Sequence, residues 1–372
     1  MKSYAMASKV CIFKSVHPPF DVRIFHKEAK TLVKAGYDVT IIAQHDKEEI
    51  VDGIRIINLQ RPRNRLERMI KTVWSAFRKA LAVNADIYHF HDPELIPAGL
   101  RLKKKGKKVI YDVHEDYGED ILNKEWLPKI FQNIIARIFD RYEKKAAGVL
   151  DGIVTATPHI RTKFEKLNPN TIDINNYPIL SNQVINHSGE TLKSRSVNFV
   201  GAINRIRAVA EMVSSLEFTD AKLILAGNFT TTEDFDSAKS MKGWAKVDYR
   251  GQVGRSDVST IFSESAAGLV LYHPGPNHND SQPNKLFEYM AAGLPVIASN
   301  FPLWKEIVEK NKCGICVNPL NPREIADAIN WVLQNPSDAA EMGKNGSRAA
   351  LEKYNWETEN CKLIRFYEQL LK

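Results

Sequence analysis

The stretch from Ser281 to Ser299, SQPNKLFEYMAAGLPVIAS, strongly limits what this chain can fold into. A polar run, HNDSQ from His278, enters a loop, and apolar residues then recur at helical spacing. The pattern predicts a helix of about nine residues, a tight turn at Gly293 and a buried strand over LPVIAS. Pro283 stands just before the helix, where a missing N–H costs nothing. The first-turn amides of Asn284, Lys285 and Leu286 lack intrahelical partners and can hold an anion. Glu288 falls one turn on, on about the same face as Lys285. Amides and a lysine suit a diphosphate, and a carboxylate one turn away suits ribose hydroxyls, so the set fits a sugar nucleotide. An ordinary helix–turn–strand unit has the same pattern, and the residues alone do not separate the two.

Strand and helix alternate through the rest of the chain. In the first half KVCIFKSV, YDVTIIAQ, GIRIINL, ADIYHFH and KKVIYDVHE read as strands, with IFHKEAKTLVKAG a helix closed by Gly36. In the second half SVNFVGAI, AKLILAGN, KVDYRGQV, AAGLVLYH, LPVIASN and GICVNP do the same. Apolar strands alternating with helices predict an α/β fold with parallel sheets covered on both faces, and ligands at the carboxyl ends of the strands. The polar segment NPNTIDINNYPILSNQVINHSGETLKSR reads as a linker, giving domains at 1–180 and 181–355, with a terminal helix at 356–372. That helix, WETENCKLIRFYEQLLK, is apolar at helical spacing through Leu363, Ile364, Tyr367 and Leu371. No GxGxxG opens the first domain, so an NAD-type reading lacks its main support.

The 372 residues suffice for two cores, and a content of 44% hydrophobic and 26% charged residues is that of a globular protein. No apolar run reaches the roughly 18 residues of a membrane span, and no signal peptide is evident, so a cytoplasmic protein is expected. The four cysteines are too few and scattered for a disulfide framework. Cys313 and Cys316 form a lone CxxC without a nearby histidine, which favours buried thiols over a metal site. His89-Phe90-His91-Asp92-Pro93-Glu94 ends a strand with both histidines on one face, but no further ligand at metal spacing follows. No metal and no cofactor are expected.

Positive charge is concentrated in the first half: residues 1–180 carry 31 Lys+Arg against 22 Asp+Glu, and residues 181–372 carry 21 against 22. A half at +9 beside one at −1 points to an anionic partner on the first half, whether membrane, diphosphate lipid or nucleic acid. In residues 64–81, Leu66, Ile70, Val73, Trp74, Phe77 and Leu81 form one helical stripe, with Arg65, Arg68, Lys71, Arg78 and Lys79 largely opposite. Residues 129–145 repeat the theme with Ile130, Phe131, Ile134, Ile135, Ile138 and Phe139. Such helices either dock their stripe on the sheet or lie in a membrane interface.

The stretch Asp280–Ser299 resembles the donor-binding signature of the retaining glycosyltransferases of family 4, which have the two-domain GT-B fold. There an acidic residue, seven others and a Glu precede a small-residue turn and a PVIAS-like strand. Asp280 stands where the family usually has its first Glu, and Pro283 where it often has Gly. The resemblance covers nearly the whole chain. It implies two Rossmann-like doubly wound domains facing each other across a cleft, with the last helix crossing back to the first. It assigns Asp280 to the donor sugar, and Asn284, Lys285 and Glu288 to the donor nucleotide. In VNFVGAINRIRAVAEMV, Gly201 fits the family's strand-end glycine, Arg207 its usual lysine, and Arg205 is a shifted substitute for an arginine replaced by Ala202. His114, ending KKVIYDVHE, matches a histidine that faces the donor sugar. His17, Asp21 and Arg23, in HPPFDVR, lie in a loop that in the family closes over donor diphosphate or acceptor, with Arg23 able to meet a phosphate by its bidentate fork; a rigid turn capped by Asp21 fits the residues equally well.

The function so implied is retaining, metal-independent transfer of a sugar from a nucleotide-diphosphate donor to an acceptor hydroxyl. The acceptor expected is a glycan or polyprenyl-diphosphate-linked precursor of bacterial surface glycans, reached at an anionic membrane on the inner face of the cell, without nucleic acid. One rival is a sugar-nucleotide epimerase of the same architecture, which would use His17, Asp92 and Glu115 as acid–base groups. Another is a non-enzymatic basic protein binding membrane or nucleic acid, which leaves the donor-like residues without a task.

Overall fold

The computed structural model describes residues 7–122, 128–180 and 195–372, and the chain divides into two compact units. Unit 1 comprises Met1–Asn176 with Glu357–Lys372, and unit 2 comprises Tyr177–Trp356, so the division falls at 176 rather than 180.

Unit 1 is built on an eight-stranded sheet in the order β3-β4-β2-β1-β5-β6-β7-β8. Its strands are β1 Lys9–Phe13, β2 Asp38–Gln44, β3 Glu49–Val51, β4 Ile54–Leu59, β5 Ile87–Phe90, β6 Lys108–Val113, β7 Gly152–Thr155 and β8 Thr171–Asp173. All pairings are parallel except β3 with β4, a hairpin turning at Asp52 and Gly53, both left-handed. β1 is an unbroken apolar run because both faces are covered, with Val10, Cys11, Ile12 and Phe13 fully buried, and β5 and β6 interrupt theirs with the buried polar His89 and Asp112. The polar segment expected to be a linker from Asn168 is in part structural. Thr171–Asp173 is an edge strand, Asn168 is buried, and its side-chain amide donates to Ala147 O and Leu150 O. Residues 181–194 of that segment lie outside the described residues. The final helix, Trp356–Leu371, buries Leu363, Phe366 and Tyr367, and the Tyr367 hydroxyl lies 2.7 Å from His89 Nδ1. Gly152 is small because a side chain there would collide with the Phe366 ring.

Unit 2 has a six-stranded parallel sheet in the order β11-β10-β9-β12-β13-β14. These strands are β9 Ser196–Val200, β10 Lys222–Ala226, β11 Val247–Gly251, β12 Ala267–Val270, β13 Val296–Ser299 and β14 Gly314–Val317. In each sheet the strand order reverses once near the middle, between β1 and β5 and between β9 and β12. At such a switch the connections leave on opposite faces, which opens a crevice at the strand ends.

The helical stripe of residues 64–81 behaves in two ways along its length. Val73 and Phe77 are buried against the sheet, but Leu66, Ile70 and Trp74 are 68%, 52% and 44% exposed. On the helix Lys129–Ala147, Phe131, Ile134, Ile135 and Ile138 are also exposed. The helix Ile96–Lys104 touches both. Each stripe is spent only in part on the core, so the core-docking account covers only part of them.

Candidate active site

In unit 2 the candidate groups gather at the β9/β12 switch. β9 ends at Gly201 and β10 at Gly227, with φ of +135° and +131°, a conformation that favours glycine. The backbones there approach so closely that a Cβ on Gly227 would lie 1.9 Å from Gly201 O. A Cβ on Gly201 would lie 2.6 Å from Lys285 Nζ and 3.7 Å from Arg207 Nη1, so two cations converge above a bare strand end.

Each cation is aimed by its element. After β9, the Asn204 side chain accepts from Arg207 N at 3.0 Å and closes the turn Arg205–Arg207. The Arg207 guanidinium donates to Ala202 O at 2.7 Å and lies over the Tyr272 ring. Lys285 is in the first turn of the helix Asn284–Ala291, its Nζ 4.5 Å from the Phe199 ring centre. Burial lowers the Lys285 ammonium to about 7, Arg207 adds to this and Glu288 opposes it. Among the described residues, neither Lys285 nor Arg207 is in a salt bridge.

Pro283 precedes the helix without a side-chain cap, which leaves the amides of Asn284 and Lys285 to other partners. Leu286 N departs from the expectation, because it donates to Pro283 O at 3.0 Å in a tightened first turn. Glu288 is half-buried one turn on. Asp280 is exposed and directly follows the short turn Pro276–Asn279. Arg205 stands apart from the pair, with an exposed side chain and its backbone N–H 3.4 Å from Asp234.

Several supports had no signal in the sequence. Trp304 is fully buried and its Nε1 donates to Ser281 O at 2.7 Å, which pins the loop before the helix. His273 N donates to Ile206 O at 2.7 Å, and His273 Nε2 meets Glu211 at 2.9 Å. These bonds tie the loop after β12 to the arginine turn after β9.

In unit 1 a second cluster sits at the ends of β1, β5 and β6. His17 and His114 bring their rings within 5.2 Å, and His17 Nε2 is 3.5 Å from Asp92 Oδ1. Asp92 accepts from Ser15 N and Val16 N, which fixes the loop carrying His17. Asp21 is the helix cap, accepting from Arg23 N at 2.9 Å and Ile24 N at 3.0 Å. Those bonds and nearby cations outweigh burial and keep its pKa below the usual value.

Arg23 corrects the expectation of a phosphate contact. Its side chain is 5% exposed and turns inward, where Nη2 donates to both oxygens of Asp112 at 3.1 and 3.0 Å. Nη1 donates to Ile174 O at 2.7 Å, and Nε lies 3.0 Å from Glu28 Oε1. A guanidinium buried and paired in this way is turned away from a ligand, although its Nε–H has no hydrogen-bond partner among the described residues. Glu28 and Tyr367 were missed in the sequence; they join only through the fold.

Around this pair are three histidines. His89 and His91 stack at 4.6 Å, and His91 Nδ1 is 3.0 Å from His114 Nε2. Burial lowers His89 to about 4 and lowers His91 and His114 as well, so all three are neutral near pH 7. Burial alone would raise Asp112, but Arg23 and the histidines lower it, so it is ionised. Burial and Asp112 raise Glu28 well above the usual carboxylate range, against the pull of Arg23. Glu28, His89, His91 and Asp112 offer ligand atoms within 4.8 Å of one another, a set a divalent ion can use. Arg23 already balances Asp112 in this cluster, and an added cation would face its buried guanidinium.

Comparisons with known proteins fit both halves. The family profile of glycosyltransferase family 4 matches residues 22–174, and that of glycosyl transferases group 1 matches residues 184–349. The chain is similar to D-rhamnosyltransferase WbpZ of Pseudomonas aeruginosa, 24% identical over 285 residues that cover 74% of this chain and 71% of the relative. In structure it is similar to sucrose-phosphate synthase from Thermosynechococcus elongatus, with a TM-score of 0.76 at 16% identity, covering 98% of this chain and 99% of the other. It is also similar to Anabaena HepE in complex with UDP-glucose, with a TM-score of 0.72 at 14% identity and 97% and 99% coverage.

Proposed function

This chain belongs to glycosyltransferase family 4 and has the GT-B fold, and from that premise we propose that it moves a sugar, with retention, from a nucleotide-diphosphate donor to an acceptor hydroxyl. The observation that carries the donor class is the convergence of Lys285 and Arg207 over Gly201, beside the first turn of the helix Asn284–Ala291. Two cations with no salt bridge among the described residues, joined by helix-terminal amides, match the charge of a diphosphate. Negative charge grows on that diphosphate as the glycosidic bond breaks, and these groups stabilise it without a metal. In unit 2, Glu288 takes the ribose hydroxyls, Asn284 supports the phosphates and Asp280 takes the sugar; in unit 1, His114 faces a substrate hydroxyl. Arg205, on the surface, supplies only long-range charge. An epimerase is not favoured, and a non-enzymatic basic protein leaves the Lys285–Arg207 pair without a role.

Screening nucleotide sugars by thermal shift tests the donor class: a donor at 100 times its dissociation constant adds about 2.7 kcal/mol of stability. Release of nucleoside diphosphate only when acceptor is present separates a transferase from an epimerase. Glu288→Ala is expected to weaken donor binding roughly 10- to 100-fold, since a hydrogen bond to a charged group contributes about 1.5–3 kcal/mol. An unchanged dissociation constant in calorimetry would remove Glu288 from the ribose.

The acceptor we propose is a lipid-linked or polysaccharide precursor of surface glycans, reached by peripheral binding of unit 1 to an anionic membrane from the cytoplasm. No helix among the described residues is long and apolar enough to cross a membrane. Leu66, Met69, Ile70 and Trp74 are exposed beside Arg65, Lys71 and Arg101, and Arg101 lies over the Trp74 ring. An apolar face rimmed by cations suits an interface, with each cation contributing about 1 kcal/mol at an anionic surface. Arg68 is held by Glu94 at 2.9 Å, so a test leaves it in place. Vesicles with anionic lipid should bind the protein more than neutral ones, and less as salt shortens the Debye length from about 10 Å at 0.1 M to about 3 Å at 1 M. Ile70→Ser with Lys71→Glu should lower co-sedimentation and leave donor affinity intact. Equal binding to neutral and anionic vesicles would reject the electrostatic part.

A further inference from the structure

The 3.0 Å contact between His91 Nδ1 and His114 Nε2 can hold only one proton. With both rings neutral, the nitrogen that donates fixes the tautomer of each ring. If His91 donates from Nδ1, His114 accepts at Nε2 and carries its own proton on Nδ1. If His114 donates from Nε2, its Nδ1 is a bare acceptor. The two states give His114 opposite chemistry toward a substrate oxygen.

We propose that His91 and Asp112 are positioning residues that hold His114 in the Nδ1–H tautomer, so that His114 meets the substrate as a hydrogen-bond donor. This rests on the reading of His114 as the sugar-facing residue of unit 1. Three distances enter. Asp112 Oδ2, on a carboxylate paired with Arg23, is 3.4 Å from His91 Nδ1, which attracts an N–H and repels a lone pair. At the other edge of the ring, His91 Nε2 is 3.6 Å from Glu28 Oε2, and neither atom has another hydrogen-bond partner among the described residues. That spacing is too long for a hydrogen bond, so a proton on Nε2 would have no acceptor there, which again favours the His91 proton on Nδ1. The opposing pull is Asp112 Oδ1 on His114 Nε2, at 3.7 Å, the longest of the three. His89 is compatible with the same polarity: the Tyr367 hydroxyl lies 2.7 Å from Nδ1, and Nε2 faces Asp112 Oδ2 at 3.6 Å. The ionised Asp112 carboxylate thereby orients the His91 ring and, through it, His114.

The test uses the full chain labelled with 15N-histidine and two-bond 15N–1H correlation spectra, which separate protonated from bare ring nitrogens. The His114 signals are identified by their loss in His114→Asn. The expected wild-type pattern is a protonated Nδ1 and a bare Nε2 on His114. His91→Leu removes the donor and should move His114 to the Nε2–H form, with kcat roughly 10- to 100-fold lower and donor KM little changed. His91→Asn keeps an amide N–H where Nδ1 stood, so it should retain the tautomer and recover most of the turnover. A bare Nδ1 on wild-type His114, or a tautomer unmoved in His91→Leu, would overturn the proposal. If His91→Leu does not fold, the wild-type and His91→Asn spectra still decide it. The expected tautomers with unchanged turnover in His91→Leu would instead support the positioning and sink the sugar-facing reading.

Discussion

Lys285→Ala is expected to lower kcat by roughly 10²- to 10³-fold, the usual cost of losing one group aimed at developing charge. A ground-state diphosphate already binds the lysine, but its charge grows as the sugar departs, so the ammonium gains most in the transition state. Arg207→Ala should act in the same direction. A change confined to KM in either variant would make that residue a ground-state contact. The pH dependence gives an independent reading, because burial holds the Lys285 ammonium at about 7 in the free protein. Below pH 7 the group is already charged, and donor binding needs no proton. Above pH 7 the free protein holds a neutral amine, while a bound diphosphate favours the ammonium and raises its pKa. Binding then takes up a proton, and affinity falls by about tenfold per pH unit until the bound-state pKa is passed. Calorimetry in buffers of different ionisation enthalpy measures that uptake, and Lys285→Ala should abolish it. A variant with the same slope would place the titrating group elsewhere.

The success of sequence reading depends here on how local the cause of each feature is. β9, β10, β12 and β13 are apolar runs that end at glycine or a polar turn, so composition within a few residues defines them. β3 and β8 span three residues each in polar surroundings, and only pairing with a neighbouring strand makes them strands. The placement of the unit 2 candidates was legible for the same reason. Gly201, Arg207 and Lys285 are placed by strand ends and a helix start, which carry local signals. Arg23 was read as a phosphate ligand because its direction is set by Asp112, Glu28 and Ile174, two of them far along the chain. Burial of a cation is a tertiary fact, decided by whether carboxylates arrive to meet it. The exposed face of Leu66, Ile70 and Trp74 shows the converse. The helical stripe was correct, but periodicity does not say which part of a stripe the sheet is wide enough to cover.

Arg23→Leu is expected to cost about 3–5 kcal/mol, because it strands a buried carboxylate and leaves its neighbours unpaired. Asp112 is fully buried and ionised against Arg23, and leucine offers neither charge nor donors in return. The loss should appear as an earlier denaturant transition of unit 1. The pH sign differs for the two acids. Asp112 is depressed in the fold, so its contribution is present above its unfolded pKa and fades as pH falls through the folded one. Glu28 is raised in the fold, so its penalty is absent below about pH 4.5 and grows above it by about 1.4 kcal/mol per pH unit until the folded pKa is reached. Glu28→Gln copies the neutral acid, with its carbonyl toward Arg23 Nε and its amide toward His91. The variant should therefore equal the wild type at pH 4 and exceed it progressively toward pH 7. A variant less stable than the wild type at pH 7 would mean that Glu28 is ionised there. Arg23 would then be neutralising two carboxylates, and removing it would cost more than one stranded charge accounts for.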